Sequence, residues 1–413
     1  MLANGAELTD GSSVTSPVDL TASNAADVKW TVDGTFVVED DTTPFELVEN
    51  LTAGRHRVSI EATDKLGAHH TISANFTVSA AAPVSPTSTP AIAAPPTVVL
   101  PSTAASSHAT GNVQVSTSAQ LVAVLAAATP GITIHLADGV YTAARQLTIS
   151  VPCTAAKPCT LVGGRGAILD GGGARGHYGL YIENAPYWTV QGVRVTNGSK
   201  GIVADKSSHT TINGVEVDYI GDEGIHLRDF TSDSIVEKSS VHDTGLTSPQ
   251  FGEGIYVGSA ASNWATYSGG QPDASDRDQI VGNTIARTGA ENIDIKEGTV
   301  GGLVSGNTFD ASTIDGENSA DSWVDVKGNQ WTVQDNTGTN ATNNPDFKDG
   351  FQTHVLVAGD GIDNVFRANV SHLGMAKGYA FRVQSPKKTH NVVYCDNTVS
   401  GGLGLSNENC TTG

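Results

Sequence analysis

One pattern restricts this chain more than any other. A seven-residue segment recurs eight times in the last 240 or so residues: YGLYIEN from Tyr178, KGIVADK from Lys200, EGIHLRD from Glu223, EGIYVGS from Glu253, ENIDIKE from Glu291, SWVDVKG from Ser322, DGFQTHV from Asp349 and KGYAFRV from Lys377. Each carries apolar residues two apart, the alternation of an extended strand. Units of this size cannot bury an apolar face alone, so a spacing of about twenty to forty residues denotes a stack of coils.

A second column follows about one strand after these segments, aligning Asn283, Asn307, Asn336, Asn369 and Asn397 in IVGNT, LVSGNT, TVQDNT, VFRANV and YCDNT. An Asn at one turn of each coil can stack its amide on the next and tolerate left-handed backbone there. Together the columns predict an all-β fold, a right-handed parallel β-helix over 112–413. The segment TSAQLVAVLAAATPG reads as a helix capping its N-terminal end. Thr117 and Gln120 form a capping box, and Pro130-Gly131 stops it.

Upstream, residues 81–111 are almost all Ala, Pro, Ser, Thr and Val, the composition of an extended linker. Before it, DVKWTVDGTFVVED, RHRVSIEATD and HTISANFTV alternate as short strands, predicting a small β-sandwich over 1–80. That pattern resembles the bacterial immunoglobulin-like (Ig-like) modules appended to secreted carbohydrate-active enzymes.

Forty-three acids against 23 Lys and Arg give a net charge of -20, which repels nucleic acid and anionic lipid. The four Cys fall in two close pairs, Cys153 with Cys159 and Cys395 with Cys410, without metal-site spacing. Two disulfides and an oxidising compartment follow. The chain has no apolar run of membrane-spanning length, and its start, MLANGAELTDG, is read as following removal of any signal. A secreted monomer is expected.

Within each repeat the third and fifth residues should point into the coil and the fourth and sixth outward. The outward sixth position reads Arg228, Gly258, Lys296, Lys327, His354 and Arg382 through the later coils; the fourth reads His226, Tyr256, Asp294, Asp325, Gln352 and Ala380. Stacked about 4.8 Å apart, these form an outward cationic ladder with carboxylates beside it. An acidic chain has gathered bases there, which points to an acidic polymer as partner. A structural ion-pair ladder is the plainer alternative. At the turn entering the same strand stand Asp222, Glu223, Glu253, Glu291 and Asp321. Of these, Asp222, Glu223, Glu253 and Glu291 are the candidate ligands of a hard cation, Ca2+. The long insertion after Val257 carries Trp264 and Tyr267, which could wall the groove and stack on a sugar or simply pack as a loop cover.

At these residues the chain resembles the pectate-lyase-type β-helix polysaccharide lyases, most of all the family holding chondroitinase B and several alginate lyases. LADGVYT and LVGGRGAILDGGG resemble that family's first coils, so the resemblance spans 112–413. In the family a Glu five residues before a Lys contributes to a Ca2+ site, the Lys is the base and an Arg on the next coil assists. Glu291 and Lys296 have that spacing; Lys327 stands where the family has Arg. The resemblance implies β-elimination on a uronate-containing polysaccharide. Lys296 would take the C5 proton, its pKa lowered by Arg228, Lys327 and His354. Charge neutralisation would come from Ca2+ on Glu223, Glu253 and Glu291 and from Lys327 or Arg228. His226, Tyr256, Asp294, Asp325, Arg382 and Trp264 would contact substrate.

Two other functions fit the same residues. An inverting hydrolase would use Asp294 and Asp325, but adjacent coils set them about 5 Å apart, closer than the roughly 6.5–9.5 Å such a pair needs. A non-catalytic glycan-binding β-helix is the other.

Overall fold

The computed structural model describes residues 111–412 and, between residues 2 and 79, chiefly the strands. Most of the linker stretch, residues 81–110, lies outside the described residues. The chain divides into two compact units, Met1–Leu100 and Pro101–Gly413.

The first unit holds two sheets. Ser12–Thr15, His69–Ser79, Gly54–Thr63, Asp27–Val32 and Thr35–Asp40 lie side by side in one; Ala6–Glu7, Leu2–Ala3, Val18–Ala22 and Phe45–Glu49 make the other. Alternation along the two longest strands buries Val58, Ile60, Ala74, Phe76 and Val78 on one face.

The second unit is a right-handed parallel β-helix of three sheets with eleven, ten and nine described strands. The first strand, Asn112–Val115, pairs with the next, Thr133–Leu136; from there on each strand pairs with the one three places on in the chain, which is the topology of a coil. At the N-terminal end, Thr117 caps the helix Ser118–Ala127 by accepting from the Gln120 N–H at 3.2 Å. The Gln120 side chain reaches back to the Ser116 N–H at 2.9 Å, and Leu121 and Leu125 join the coil core. Both expected disulfides, Cys153–Cys159 and Cys395–Cys410, are formed.

Inward residues stack in register. Ile225, Ile255, Ile293, Val324, Phe351 and Phe381 follow one another up the nine-stranded sheet, all buried. Full burial of such a side chain contributes about 1.5–3 kcal/mol. The stack widens to aromatics at the C-terminal end, where the Phe351 and Phe381 rings lie parallel at 5.0 Å.

The Asn column is a continuous amide ladder. Each side chain from Asn307 to Asn397 accepts from the N–H of the Asn before it at 2.9–3.0 Å. Each also donates to the carbonyl three residues before that Asn, as Asn307 does to Ile280 at 2.8 Å. The left-handed residue is not the Asn, as the sequence suggested, but the residue before it: Gly282, Gly306, Asp335 and Ala368. The Asn keeps ordinary backbone because its side chain points inward to replace the ladder bonds that the turn interrupts.

Candidate active site

The groove face is the outer surface of the nine-stranded sheet. Across it, His226, Tyr256, Asp294, Asp325, Gln352 and Arg382 are register partners on successive coils. This corrects Arg382, which was expected above His354 in the neighbouring column. In the last repeat the inward residues are Phe381 and Val383, so Gly378, Tyr379 and Ala380 belong to the entering turn and the true register is two residues later.

The outward residues are not exposed as a set. Asp294 and Asp325 are each 2% exposed and Lys327 is 6%, although all three lie outside the coil. They shield one another by pairing. Lys296 Nζ lies 2.7 Å from Asp294 Oδ2, Lys327 Nζ lies 2.6 Å from Asp294 Oδ1 and 2.7 Å from Asp325 Oδ2, and His354 Nδ1 donates to both Asp325 oxygens at 2.8 and 2.9 Å. The result is one alternating chain, Lys296, Asp294, Lys327, Asp325, His354. Its interior member, Lys327, is closed to a substrate; its two ends, Lys296 and His354, are the members that reach the surface.

This arrangement reverses the expected effect on Lys296. Burial alone would lower its pKa, but Asp294 and the nearby Glu253 outweigh burial, and the ammonium is held above its ordinary value. Lys327 is likewise buried yet raised by Asp294 and Asp325. His354 is raised chiefly by its hydrogen bond to Asp325. Arg228, expected beside Lys296, is committed elsewhere: Nε donates to Asp205 Oδ1 at 2.8 Å, and the guanidinium lies 4.0 Å from the centre of the Tyr267 ring. It is buried.

Tyr256 and Lys296 adjoin, the ammonium 5.0 Å from the ring centre, with His226 edge-on to the same ring at 4.2 Å. His226 Nε2 donates to the Gly258 carbonyl at 2.8 Å, and burial depresses its pKa. Burial and the Asp294 charge push the Tyr256 phenol well up, so it keeps its proton.

Of the acids expected to bind a metal, Glu253 and Glu291 come together, and Asp294 joins them. One oxygen of each lies within 4.8 Å of the others, and all three residues are buried. Burial, with the Glu223 and Asp294 charges beside it, pushes Glu253 up to about 8, and burial raises Glu291 well above the carboxylate range. Glu253 Oε2 has no hydrogen-bond partner. Three crowded carboxyls with an orphaned inward oxygen suit a divalent cation, a hard ion that takes oxygen ligands. Asp222 and Glu223 are not in this cluster: both pair with Lys200, and Lys200 and His226 hold Glu223 below its ordinary pKa although burial opposes it.

Trp264 turns into its own loop. Its Nε1 donates to the Ser259 carbonyl at 3.0 Å and its ring abuts Gly298, so it braces the loop on the coil of Lys296. Sequence reasoning missed Lys200 and Asp205, the partners of Glu223 and Arg228. The signal was present, since extending the outward sixth column one coil earlier reaches Asp205 under Arg228.

The outer face of this parallel β-helix thus carries a buried ionic cluster with Lys296, 13% exposed, at its edge. Residues 159–270 match the family model for the right handed beta helix region. The chain is similar to the crystal structure of alginate lyase from Paenibacillus sp. str. FPU-7, with 35% identity and a TM-score of 0.64, covering 74% of this chain and 98% of that one. It therefore belongs, with that alginate lyase, to the right-handed parallel β-helix polysaccharide lyases. Pectate lyase Pel9A matches at 17% identity and a TM-score of 0.49, over 72% of this chain and 79% of that one. A PL6 family alginate lyase, AlyGC, matches at 17% identity and 0.44, over 66% and 40%. No curated protein matches the chain. Membership implies lyase activity on an acidic polysaccharide, and the two disulfides fit work outside the cell. Among the described residues no helix is long and apolar enough to cross a membrane.

Proposed function

We propose that this chain is a secreted lyase that cleaves a 4-linked polyuronate, alginate foremost, by β-elimination, with Lys296 as the base. The observation that carries this reading is the meeting of Lys296, Tyr256 and the Glu253, Glu291 and Asp294 carboxyls at one place on the outer face. Identity to an alginate lyase over nearly all of that enzyme supports it. We read the N-terminal sandwich as an Ig-like accessory module.

Removing the C5 proton of a uronate is difficult until the neighbouring carboxylate is neutralised, because the intermediate places a second negative charge beside it. Glu253, Glu291 and Asp294 would hold Ca2+ here, and that ion would supply the neutralising charge. Lys296 in its free-amine form takes the C5 proton. Tyr256, which retains its phenolic proton, gives it to the departing oxygen. Lys327 does not touch substrate; it fixes Asp294 and Asp325, and so fixes Lys296 and His354. In the hydrolase alternative Asp325 could not be the proton donor: burial would raise its carboxyl, but Lys327 and His354 hold it well below the carboxylate range, so it has no proton to give.

Incubation with alginate, pectate and a glucuronan tests the reading. An ultraviolet-absorbing unsaturated product is expected from at least one. New reducing ends without unsaturation would replace the lyase with a hydrolase, and neither product would leave a binding protein.

A further inference from the structure

We propose that the groove continues past the lysine cluster into a distal carboxylate-binding subsite formed by Lys377 and Arg382, which grips a uronate of the same polymer three coils from Lys296. The inference rests on the polyuronate reading above and adds where the polymer lies.

The charge distribution points there. In a chain with 43 acids, bases of the β-helix are widely neutralised: Arg194 by Asp218, Lys206 by Asp229, Arg277 by Asp233 and Arg287 by Asp243. Lys377, Arg382, Lys387 and Lys388 make no ion pair among the described residues and stand close together in sequence, around the last strand of the groove sheet, Phe381–Val383. Exposed cations gathered outside any close ion pair, with Arg382 acting on Asp349 only at longer range, make a local positive potential in an otherwise anionic protein, which is what an acidic polymer senses.

The shape agrees. A cavity of about 350 Å³ is lined by Lys348, Lys377, Tyr379, Arg382, His354 and Leu403. A second, of about 330 Å³, meets it at His354 and Arg382 and runs toward Gln384 and Asn407. The floor of the first contains Asp321 and Asp349, which would repel a carboxylate if left bare. Both are engaged: Lys348 pairs with Asp321, the Gln352 amide donates to Asp321 at 2.6 Å and to Asp349 at 3.2 Å, and the Tyr379 N–H donates to Asp349 at 2.6 Å. Leu403, 63% exposed, supplies with Tyr379 an apolar wall suited to the face of a sugar ring.

Register sets the direction. Arg382 shares the column of Asp294 at three coil steps, about 14 Å along the axis. On the groove sheet on the opposite side of Lys296, Lys200 is closed off by Glu223, and Arg228 by Asp205 and the Tyr267 ring. A bound polyuronate therefore extends from Lys296 toward the C-terminal coils.

The test is calorimetric titration of the full chain with a long 4-linked uronate oligomer at low and high salt, with a neutral 4-linked glucan oligomer as control. The Lys377→Gln/Arg382→Gln double variant should bind the uronate at least about tenfold more weakly and with shallower salt dependence. Its melting temperature should stay at the wild-type value, since both side chains are exposed. The charge-preserving Lys377→Arg/Arg382→Lys variant should stay within about threefold of wild type. Wild-type affinity in the Gln variant, equal loss in the charge-preserving one, equal binding of the neutral glucan or no uronate binding by wild type would each overturn the subsite. A wild-type chain that binds the oligomer yet forms no unsaturated product would overturn the lyase reading alone.

Discussion

Lys327 bridges two coils: its ammonium lies 2.6 Å from Asp294 on the preceding strand and 2.7 Å from Asp325 on its own. Both carboxylates are buried, and Lys327 is the one cation they share, Lys296 and His354 each reaching a single carboxylate from the ends of the network. Removing one partner of a buried ionic network costs about 3–5 kcal/mol, because the remaining charges are stranded. Lys327→Met should therefore lower stability by about that amount in denaturant unfolding of the full chain. A loss below about 1 kcal/mol would mean that the pair is solvated.

Lys296 stands in a different position. Asp294 keeps Lys327 when Lys296 is lost, so Lys296→Ala should melt near wild type while turnover falls at least about a hundredfold, the lower end of what a positioned base supplies. Joint loss of fold and activity would make Lys296 a structural residue.

The pH dependence follows from the same contacts. Lys296 is held above its ordinary pKa and must be a free amine to accept a proton, so its competent fraction grows with pH. The value of kcat/KM should rise across neutral pH and beyond. An acidic optimum would exclude Lys296 as base.

Metal dependence can be read without activity. If Glu253, Glu291 and Asp294 hold Ca2+, calorimetric titration should show one saturable site on the chelator-treated chain. Glu291→Gln should weaken it at least about tenfold. No binding heat would leave neutralisation to basic side chains alone.

Asp278 offers a test of the fold itself. It accepts from the Ser234 N–H at 2.8 Å, as Asn364 accepts from Trp331, but Asp278 Oδ2 has no partner where Asn364 donates to Gly328. Burial raises the Asp278 carboxyl well above its ordinary value. A raised folded-state pKa means that its contribution is full below the unfolded value, about 3.9, and is lost as pH rises through the folded one. Asp278→Asn should thus stabilise the chain, and increasingly so toward alkaline pH. Equal unfolding midpoints at high pH would refute this reading of Asp278.

Much of the coil was legible in the sequence because period-two alternation fixes which side of a strand a residue takes. Ile293 and Val324 are inside and Asp294 and Asp325 outside for that reason. Alternation does not report what covers the outside. The burial of Asp294, Asp325 and Lys327 goes with their mutual pairing, and Tyr267 of the long loop after Val257 closes over Arg228. The direction of the Lys296 shift depends on the same contacts: counting cations along the column favoured lowering, whereas the nearest charge is Asp294 at 2.7 Å. Arg382 was misplaced because the turn before Phe381 holds two more residues than the repeat allows, and a turn of variable length leaves no mark in the alternation.

The most direct measurement of the central claim is the ultraviolet absorbance of unsaturated uronate released from alginate by wild type and by Lys296→Ala at equal concentration and matched melting temperature. The account predicts steady accumulation with wild type and at least about a hundredfold less with the variant. Equal rates of unsaturated product from the two proteins would contradict it.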